Sequence, residues 1–154
     1  MPIQATPTQA AEGMSSDSVR IFLRDYTGKN PLLDDVEFSD DEIKNAMNFA
    51  ADQANVIARP TSFSAASFPN KYVLLIGTCA FLMKSEAFRQ IRNQATYQDG
   101  NIQPVGIDDK QSFYSALGQN LSAEFTQLVT TIKISENMST FGRLKSPILQ
   151  AKPR

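Results

Sequence analysis

Three pairs of neighbouring aspartates, at 34–35, 40–41 and 108–109, are the residues best suited to chemistry in this chain. Paired carboxylates can act as general acids and bases or bind Mg²⁺, because hard cations prefer oxygen ligands. The chain has no histidine and one cysteine, which excludes histidine-dependent hydrolysis, histidine metal sites, an intrachain disulfide and thiolate clusters. Two of the pairs stand at expected helix starts, where capping explains them. We therefore expect no catalytic residue, no metal and no cofactor, and a protein that is not an enzyme.

The glycines and the cysteine also favour structure over chemistry. Gly77 and Gly118 belong to no glycine-rich phosphate loop, and Lys, Ser and Thr never fall in a Walker-type spacing. Cys79 lies in the apolar stretch 72–83 and is expected to be a small core residue. Gly118 interrupts a helical pattern, so we expect it to mark a close approach of two helices.

The first expected helix is short. Small oxygen-bearing side chains at 15–17 can cap its free amides, and its pattern continues to about residue 26. Val19, Phe22 and Leu23 follow helical spacing and form its apolar side, while Arg20 and Arg24 lie on the other side.

The second helix has the firmest start in the sequence. Ser39 and Glu42 have the spacing of a capping box, in which each side chain accepts from the other residue's backbone amide. The helix is expected to run to about residue 57, where Arg59-Pro60 ends it. Its apolar face is rich in alanine, which predicts a close helix contact. That face consists of Ile43, Met47, Ala50, Ala54 and Ile57.

The third helix, over residues 70–94, is expected to be the centre of the core, with Pro69 in its first turn. Its first half, 72–83, is apolar on nearly all sides, which predicts burial by several neighbours. In the second half the pattern places Ala87, Phe88 and Ile91 inside. It places Lys84, Glu86, Arg89 and Arg92 outside.

The fourth helix is expected from 108 or 109 to about 135. Its apolar residues recur every three or four positions, which predicts a seam inside a bundle. They are Phe113, Leu117, Leu121, Phe125, Leu128 and Ile132. Before this helix, residues 96–106 carry two turn signals that allow a small β-hairpin.

Together these signals predict a mainly α fold: a helical bundle of three longer helices and one short helix. The bundle is expected over 15–137, between a flexible arm at 1–14 and an extended docking tail at 138–154. The first residues lack both a basic start and an apolar run, and no apolar stretch approaches the roughly 20 residues that span a bilayer. We therefore expect a protein without a signal peptide and without membrane contact.

Charge is divided unevenly along the chain, although the net charge is only -1. Residues 1–60 hold ten acids and five bases, a balance of -5, and residues 61–154 hold six acids and ten bases, a balance of +4. This polarity suits head-to-tail association of identical subunits. The charged residues expected to meet between subunits are Asp34, Asp35, Glu37, Arg89 and Arg92. The alternative is that the acids only solvate a loop and favour a helix N-terminus.

The tail at 138–154 combines bases with apolar anchors and contains no acid. Such a segment cannot form a core of its own. We expect it to lie along another subunit or component, or to add a strand to it, with a solvated tail as the alternative. The expected docking residues are Phe141, Arg143, Leu144, Lys145, Ile148 and Leu149.

The order and spacing of several segments over residues 16–146 resemble the head-to-tail connector proteins of tailed phages, the adaptors beneath the portal. The segments are VRIFLRD at 19–25, NPLLDDVEFSD at 30–40, FP at 68–69, RNQATYQDG at 92–100 and FG at 141–142. The resemblance implies a structural virion protein made in the host cytoplasm and located at the neck. Similar proteins form rings, commonly of about twelve copies, that surround the DNA channel without reading its sequence. Their extended ends dock onto the portal or the next neck or tail component.

A DNA-binding regulator is the alternative from another class. It would place the second or third helix, with Arg89 and Arg92, against the DNA groove. A sequence pI near 5.4 argues against it, because dedicated nucleic-acid binders usually have a broad basic face. Salt-dependent binding of DNA would distinguish this alternative from a connector.

Overall fold

The computed structural model describes residues 13–29, 35–93 and 110–141. Within these ranges it contains four α-helices, a short 3-10 helix and no strand. The helices are α1 (Ser16–Leu23), α2 (Asp40–Val56), α3 (Lys71–Asn93) and α4 (Lys110–Phe141), with the 3-10 helix at Thr27–Lys29. The predicted bundle of three longer helices and one short helix is confirmed. The possible hairpin at 96–106, most of the arm at 1–14 and the tail after Phe141 lie outside the described residues.

The short helix α1 is capped at both ends. The Ser15 hydroxyl accepts a hydrogen bond from the Ser18 amide at 3.3 Å. Arg24, in the left-handed region at φ 59°, ends the helix earlier than the sequence pattern indicates. Val19 is fully buried, whereas Phe22, expected on the inner side, is exposed. With only two turns, α1 contacts α2 and α3 through a narrow strip.

The capping box at the start of α2 is confirmed. The Ser39 amide donates to Glu42 Oε2 at 2.8 Å, and the Glu42 amide donates to Ser39 Oγ at 3.3 Å. The predicted apolar face is buried against α3, and its alanines permit the expected close contact. The buried residues of α2 are Ile43, Ala46, Met47, Ala50, Ala51 and Ala54.

The central position of α3 is confirmed, because it contacts each of the other three helices. Asn70 caps its start: Asn70 Oδ1 accepts from the Tyr72 amide at 2.9 Å and the Val73 amide at 3.3 Å. Pro69 thus precedes the cap and is not in the first turn. Cys79 is fully buried, as expected, and burial raises the pKa of its thiol to about 12.

The prediction for the second half of α3 is confirmed for Ala87, which is buried, and for Arg92, which is exposed, but is wrong for three other residues. Glu86, expected outside, is only 2% exposed, while Phe88, expected inside, is 69% exposed and Ile91 is also exposed. Glu86 is buried because it lies beside Glu37 of the segment before α2 and beside Arg89. No helix among the described residues covers Phe88. The local pattern could not reveal which side of this amphipathic stretch would have a neighbour.

Two glycines let the antiparallel helices α3 and α4 approach closely. A Cβ atom at Gly77 would lie 2.6 to 2.9 Å from ring atoms of Phe125. A Cβ atom at Gly118 would lie 3.3 Å from the Lys84 backbone nitrogen. The expectation for Gly118 is confirmed, and Gly77 plays the same part on α3.

The predicted seam of α4 is confirmed from Leu121 onward and is wrong at its first two positions. Leu121 and Phe125 are buried, and Leu128 and Ile132 pack against the core. Phe113 is 74% exposed and Leu117 is exposed. Each step of four residues overshoots one turn by about 40°, so a row built from such steps winds around the helix and leaves the core.

Helix α4 also extends beyond its expected end near residue 135, to Phe141. Residues 138–141, expected to belong to the extended tail, are therefore helical. After Gly118 the sequence has no further glycine or proline until Gly142, so no local signal stops the helix earlier.

Candidate functional site

A groove of about 270 Å³ lies between α2 and α3, next to the segment that precedes α2. Its apolar lining includes Phe49 of α2 and Phe81 and Leu82 of α3. The rings of Phe49 and Phe81 lie 5.8 Å apart, and Phe49 is exposed. Apolar side chains that remain open to solvent can receive an apolar group from another segment.

Charged side chains line one end of this groove. Glu86 accepts a hydrogen bond from Gln90 Nε2 at 2.6 Å, and its other carboxylate oxygen lies 3.1 Å from Arg89 Nε. Arg89 Nη2 lies 3.7 Å from Glu37. Burial, and next the carboxylate of Glu86, raise the pKa of Glu37. With Glu42, the lining contains three glutamates and one arginine, a formal charge of -2.

Asp25 fixes the backbone that leads into the groove. It is buried, and it accepts from the Glu37 amide at 2.7 Å and the Phe38 amide at 3.1 Å. Arg20 bridges Asp25 at 3.2 Å and Asp40 at 2.8 Å, so it ties α1 to the first turn of α2. The hydrogen bond from Arg20 lowers the pKa of Asp40.

Lys133 of α4 closes the other end of α2. Its side chain is 1% exposed, and Nζ donates to the backbone carbonyls of Ala54, Ile57 and Arg59 at 2.5 to 2.7 Å. Two of these carbonyls also accept from nearby amides, Ala54 from Ile57 at 3.3 Å and Ile57 from Arg59 at 2.8 Å. The ammonium adds a charged donor to all three and interacts with the negative end of the helix dipole. Burial lowers the pKa of Lys133. All three donors are occupied, so this lysine is a structural cap.

A second groove, of about 620 Å³, runs along α4 beside Lys84. The hydroxyls of Thr126, Thr130 and Thr131 donate to backbone carbonyls one turn earlier in the same helix, at 2.8 to 2.9 Å. Lys84 Nζ donates to Ser122 Oγ at 3.0 Å. Because these polar groups bond within the subunit, the groove has no evident catalytic arrangement.

The structure places only some of the predicted contact residues. Those outside the described residues are Asp34, Arg143, Leu144, Lys145, Ile148 and Leu149. Asp35 accepts from the Val36 amide at 2.7 Å, and Arg92 is exposed in the last turn of α3. Glu37 and Arg89 lie together at the α2–α3 groove within one subunit. Phe141 is the last residue of α4.

Sequence reasoning missed several residues that organise these sites, namely Asp25, Asn55, Gly77 and Lys133. Asn55 Oδ1 accepts from the Phe63 amide at 2.7 Å, and its Nδ2 donates to the Phe63 carbonyl at 2.9 Å, so it fixes the loop after α2. A signal for Lys133 existed. Lys133 follows Phe125 and Val129 at intervals of four residues, so it lies on the same apolar side of α4. This spacing indicates a basic residue on a buried face.

Within the described ranges, no group of three or more His, Cys, Asp or Glu side chains could hold a metal ion. Over the same residues, no helix is both long and apolar enough to cross a membrane. Comparison with known proteins adds no relative: no family model matches the chain, and searches of curated proteins and of solved structures found no match.

Proposed function

We propose that this chain is a subunit of a head-to-tail connector ring of a tailed phage. The ring would join the portal to the neck or tail and surround the DNA channel. The helical bundle would act as the spacer, and the C-terminal segment after Phe141 would dock onto another molecule. The family resemblance of the sequence suggests this role, and three features of the structure support it.

The observation that carries the proposal is the exposure of large apolar side chains on all four helices. Scattered exposed apolar residues are normal, but larger groups mark protein contacts. In the described residues twelve large apolar side chains are exposed, eleven on the α-helices and Tyr26 just after α1. They are Ile21, Phe22, Tyr26, Phe49, Val56, Tyr72, Phe88, Ile91, Phe113, Leu117, Ile134 and Met138. A subunit that is covered on several sides in a ring would bury many of them.

Four of these side chains lie near one end of the α3–α4 pair. Because the two helices are antiparallel and Gly118 meets Lys84, residues 88–91 of α3 lie level with residues 111–114 of α4. Phe88, Ile91, Phe113 and Leu117 therefore lie near the same end of the bundle. A heterologous ring contact needs such a surface on one side of a subunit and a different one on its neighbour.

The ion pairs of two arginines, Arg89 and Arg20, favour a connector over the DNA-binding alternative. Arg89 pairs with Glu86 and Glu37, and Arg20 pairs with Asp25 and Asp40. Guanidinium groups engaged with carboxylates are less available for phosphates. A connector needs no sequence-specific base contacts, since DNA only passes through its channel.

The test uses the full chain and the purified portal protein of the same phage. Native mass spectrometry and negative-stain electron microscopy should show a closed ring, alone or on the portal. A chain ending at Phe141 should keep its helical circular dichroism and lose attachment to the portal. The proposal is wrong if no ring forms either from the chain alone or from the chain mixed with the portal protein. It is also wrong if the chain stays monomeric and binds duplex DNA with an affinity that falls steeply as the salt concentration rises.

A further inference from the structure

The groove between α2 and α3 has the chemistry to bind a basic segment with apolar anchors. Its floor offers Phe49, Phe81 and Leu82, and its charged end has a formal charge of -2. A volume of about 270 Å³ is slightly below the roughly 300–1,000 Å³ typical of ligand sites. It therefore fits one or two side chains of an extended segment and not a folded partner.

The C-terminal segment 142–154 of this chain has the matching chemistry. Its thirteen residues include four bases and no acid, with Leu144, Ile148 and Leu149 between the bases. An apolar side chain could enter the groove while neighbouring bases approach the glutamates. Opposite charge across a contact both attracts the right segment and fixes its register.

Chain length indicates which molecule supplies this segment. Gly118 of α4 lies level with Lys84 of α3, beside the groove residue Ser85. By the same pairing Phe81 of the apolar floor lies level with residue 121, 20 residues or about 30 Å of helix from Phe141, so the segment starts at the far end of the bundle. Leu149 is eight residues beyond Phe141 and reaches at most about 29 Å. Even a fully extended chain falls short of this axial distance, which favours a neighbouring copy as the source of the segment.

We propose that the groove between α2 and α3 binds the C-terminal segment 142–154 of a neighbouring copy of this chain. The proposal rests on the self-association in the proposed function and names the surface that each subunit offers. When the segment at one end of a subunit enters the groove near the other end of its neighbour, the contact is heterologous and head-to-tail, the type that closes into rings.

Disulfide trapping between two full-length chains tests this contact. One chain, with an affinity tag that changes its mass, carries Ser85→Cys in the groove, and the other carries Leu149→Cys. The native Cys79 is fully buried and its thiol pKa is raised to about 12, so it should not compete. The control chain carries Thr131→Cys, an exposed position in the groove along α4. Circular dichroism of each variant checks that it folds.

If the contact forms, mild oxidation of the mixture should link the Ser85→Cys and Leu149→Cys chains at least about tenfold more than the control pair. Adding Phe49→Ala to the tagged chain should reduce the yield, because it removes part of the apolar floor. Arg143→Glu with Lys145→Glu in the other chain should reduce it through repulsion from the glutamates.

Equal trapping at Thr131→Cys, absence of the linked pair, or a link within one chain carrying both cysteines would overturn the assignment. The ring measurement separates this failure from failure of the proposed function. A ring without the trapped pair rejects the groove contact and leaves the connector intact. If the disulfide-linked pair forms but the assemblies never form rings or join the portal, the groove contact is supported and the connector is rejected.

Discussion

The two ends of α2 are held in different ways. At its N-terminus Ser39 and Glu42 satisfy each other's amides, three residues apart in sequence. At its C-terminus the carbonyls of Ala54, Ile57 and Arg59 all accept from Lys133, which belongs to α4 and lies 74 to 79 residues away in sequence. A residue pair within one turn caps the N-terminal end, and a side chain from another helix caps the C-terminal end.

This difference has an energetic consequence. The capping box lies at the surface, where water can replace a lost hydrogen bond at small cost. Lys133 is buried, so its removal takes the charged donor from three carbonyls at a place where water enters poorly. The remote cap should therefore contribute more to stability than the local one, although only the local one is visible in the sequence.

The largest effect is expected for Lys133→Met, which keeps the side-chain volume and removes the ammonium. Urea unfolding should show a loss of about 3–4 kcal/mol, because three carbonyls lose a charged donor. Lys71→Met, at an exposed position of α3, is the matched control and should change stability by no more than about 0.5 kcal/mol. If Lys133→Met costs no more than the control, the carbonyls are satisfied in another way and the comparison fails.

Asp25→Ala is expected to come next, since it tests a tertiary contribution at the N-terminal end of α2. The buried carboxylate accepts from two backbone amides and from Arg20. Its loss should cost about 2–3 kcal/mol in urea unfolding. Asp52→Ala on the exposed side of α2 serves as the control. A value near that of the control would show that residues 37–38 hold their position without Asp25.

Ser39→Ala should have a smaller effect, about 1 kcal/mol, because it removes one exposed cap. Ser62→Ala, in the exposed loop after α2, should be nearly neutral by comparison. Thermal or urea unfolding of both variants provides the measurement. A loss equal to that of Lys133→Met would contradict the proposed ranking of local and remote caps.

Glu42→Gln sharpens the comparison through pH. Hydrogen bonds from the Ser39 amide and hydroxyl lower the pKa of Glu42. A lowered pKa in the folded state means stability that is present above the ordinary value of 4.5 and is lost as pH falls through the folded value. Glutamine retains the capping geometry but does not titrate, so stability of this variant should fall less steeply below about pH 4.5. Identical acid profiles would remove Glu42 from the pH response.

Much of the fold follows from local signals. The caps of α1 and α2 and the burial of Cys79 require only neighbouring residues or strong apolar periodicity. The candidate groove was not predictable in the same way. Glu86 and Phe88 lie on an amphipathic stretch whose inner side depends on where the chain before α2 crosses α3, and no local pattern encodes that crossing.

The sequence by itself determined which segments are helices, where α2 begins and that the core is built around α3, because these depend on capping and periodicity within a few residues. Only the tertiary structure decided that Lys133 caps α2, that Gly77 receives Phe125 and that Glu86 is buried beside a groove. The physical reason is distance along the chain. Burial and hydrogen bonding depend on neighbours tens of residues away, and an apolar or charged side chain acquires its role only when those neighbours are in place.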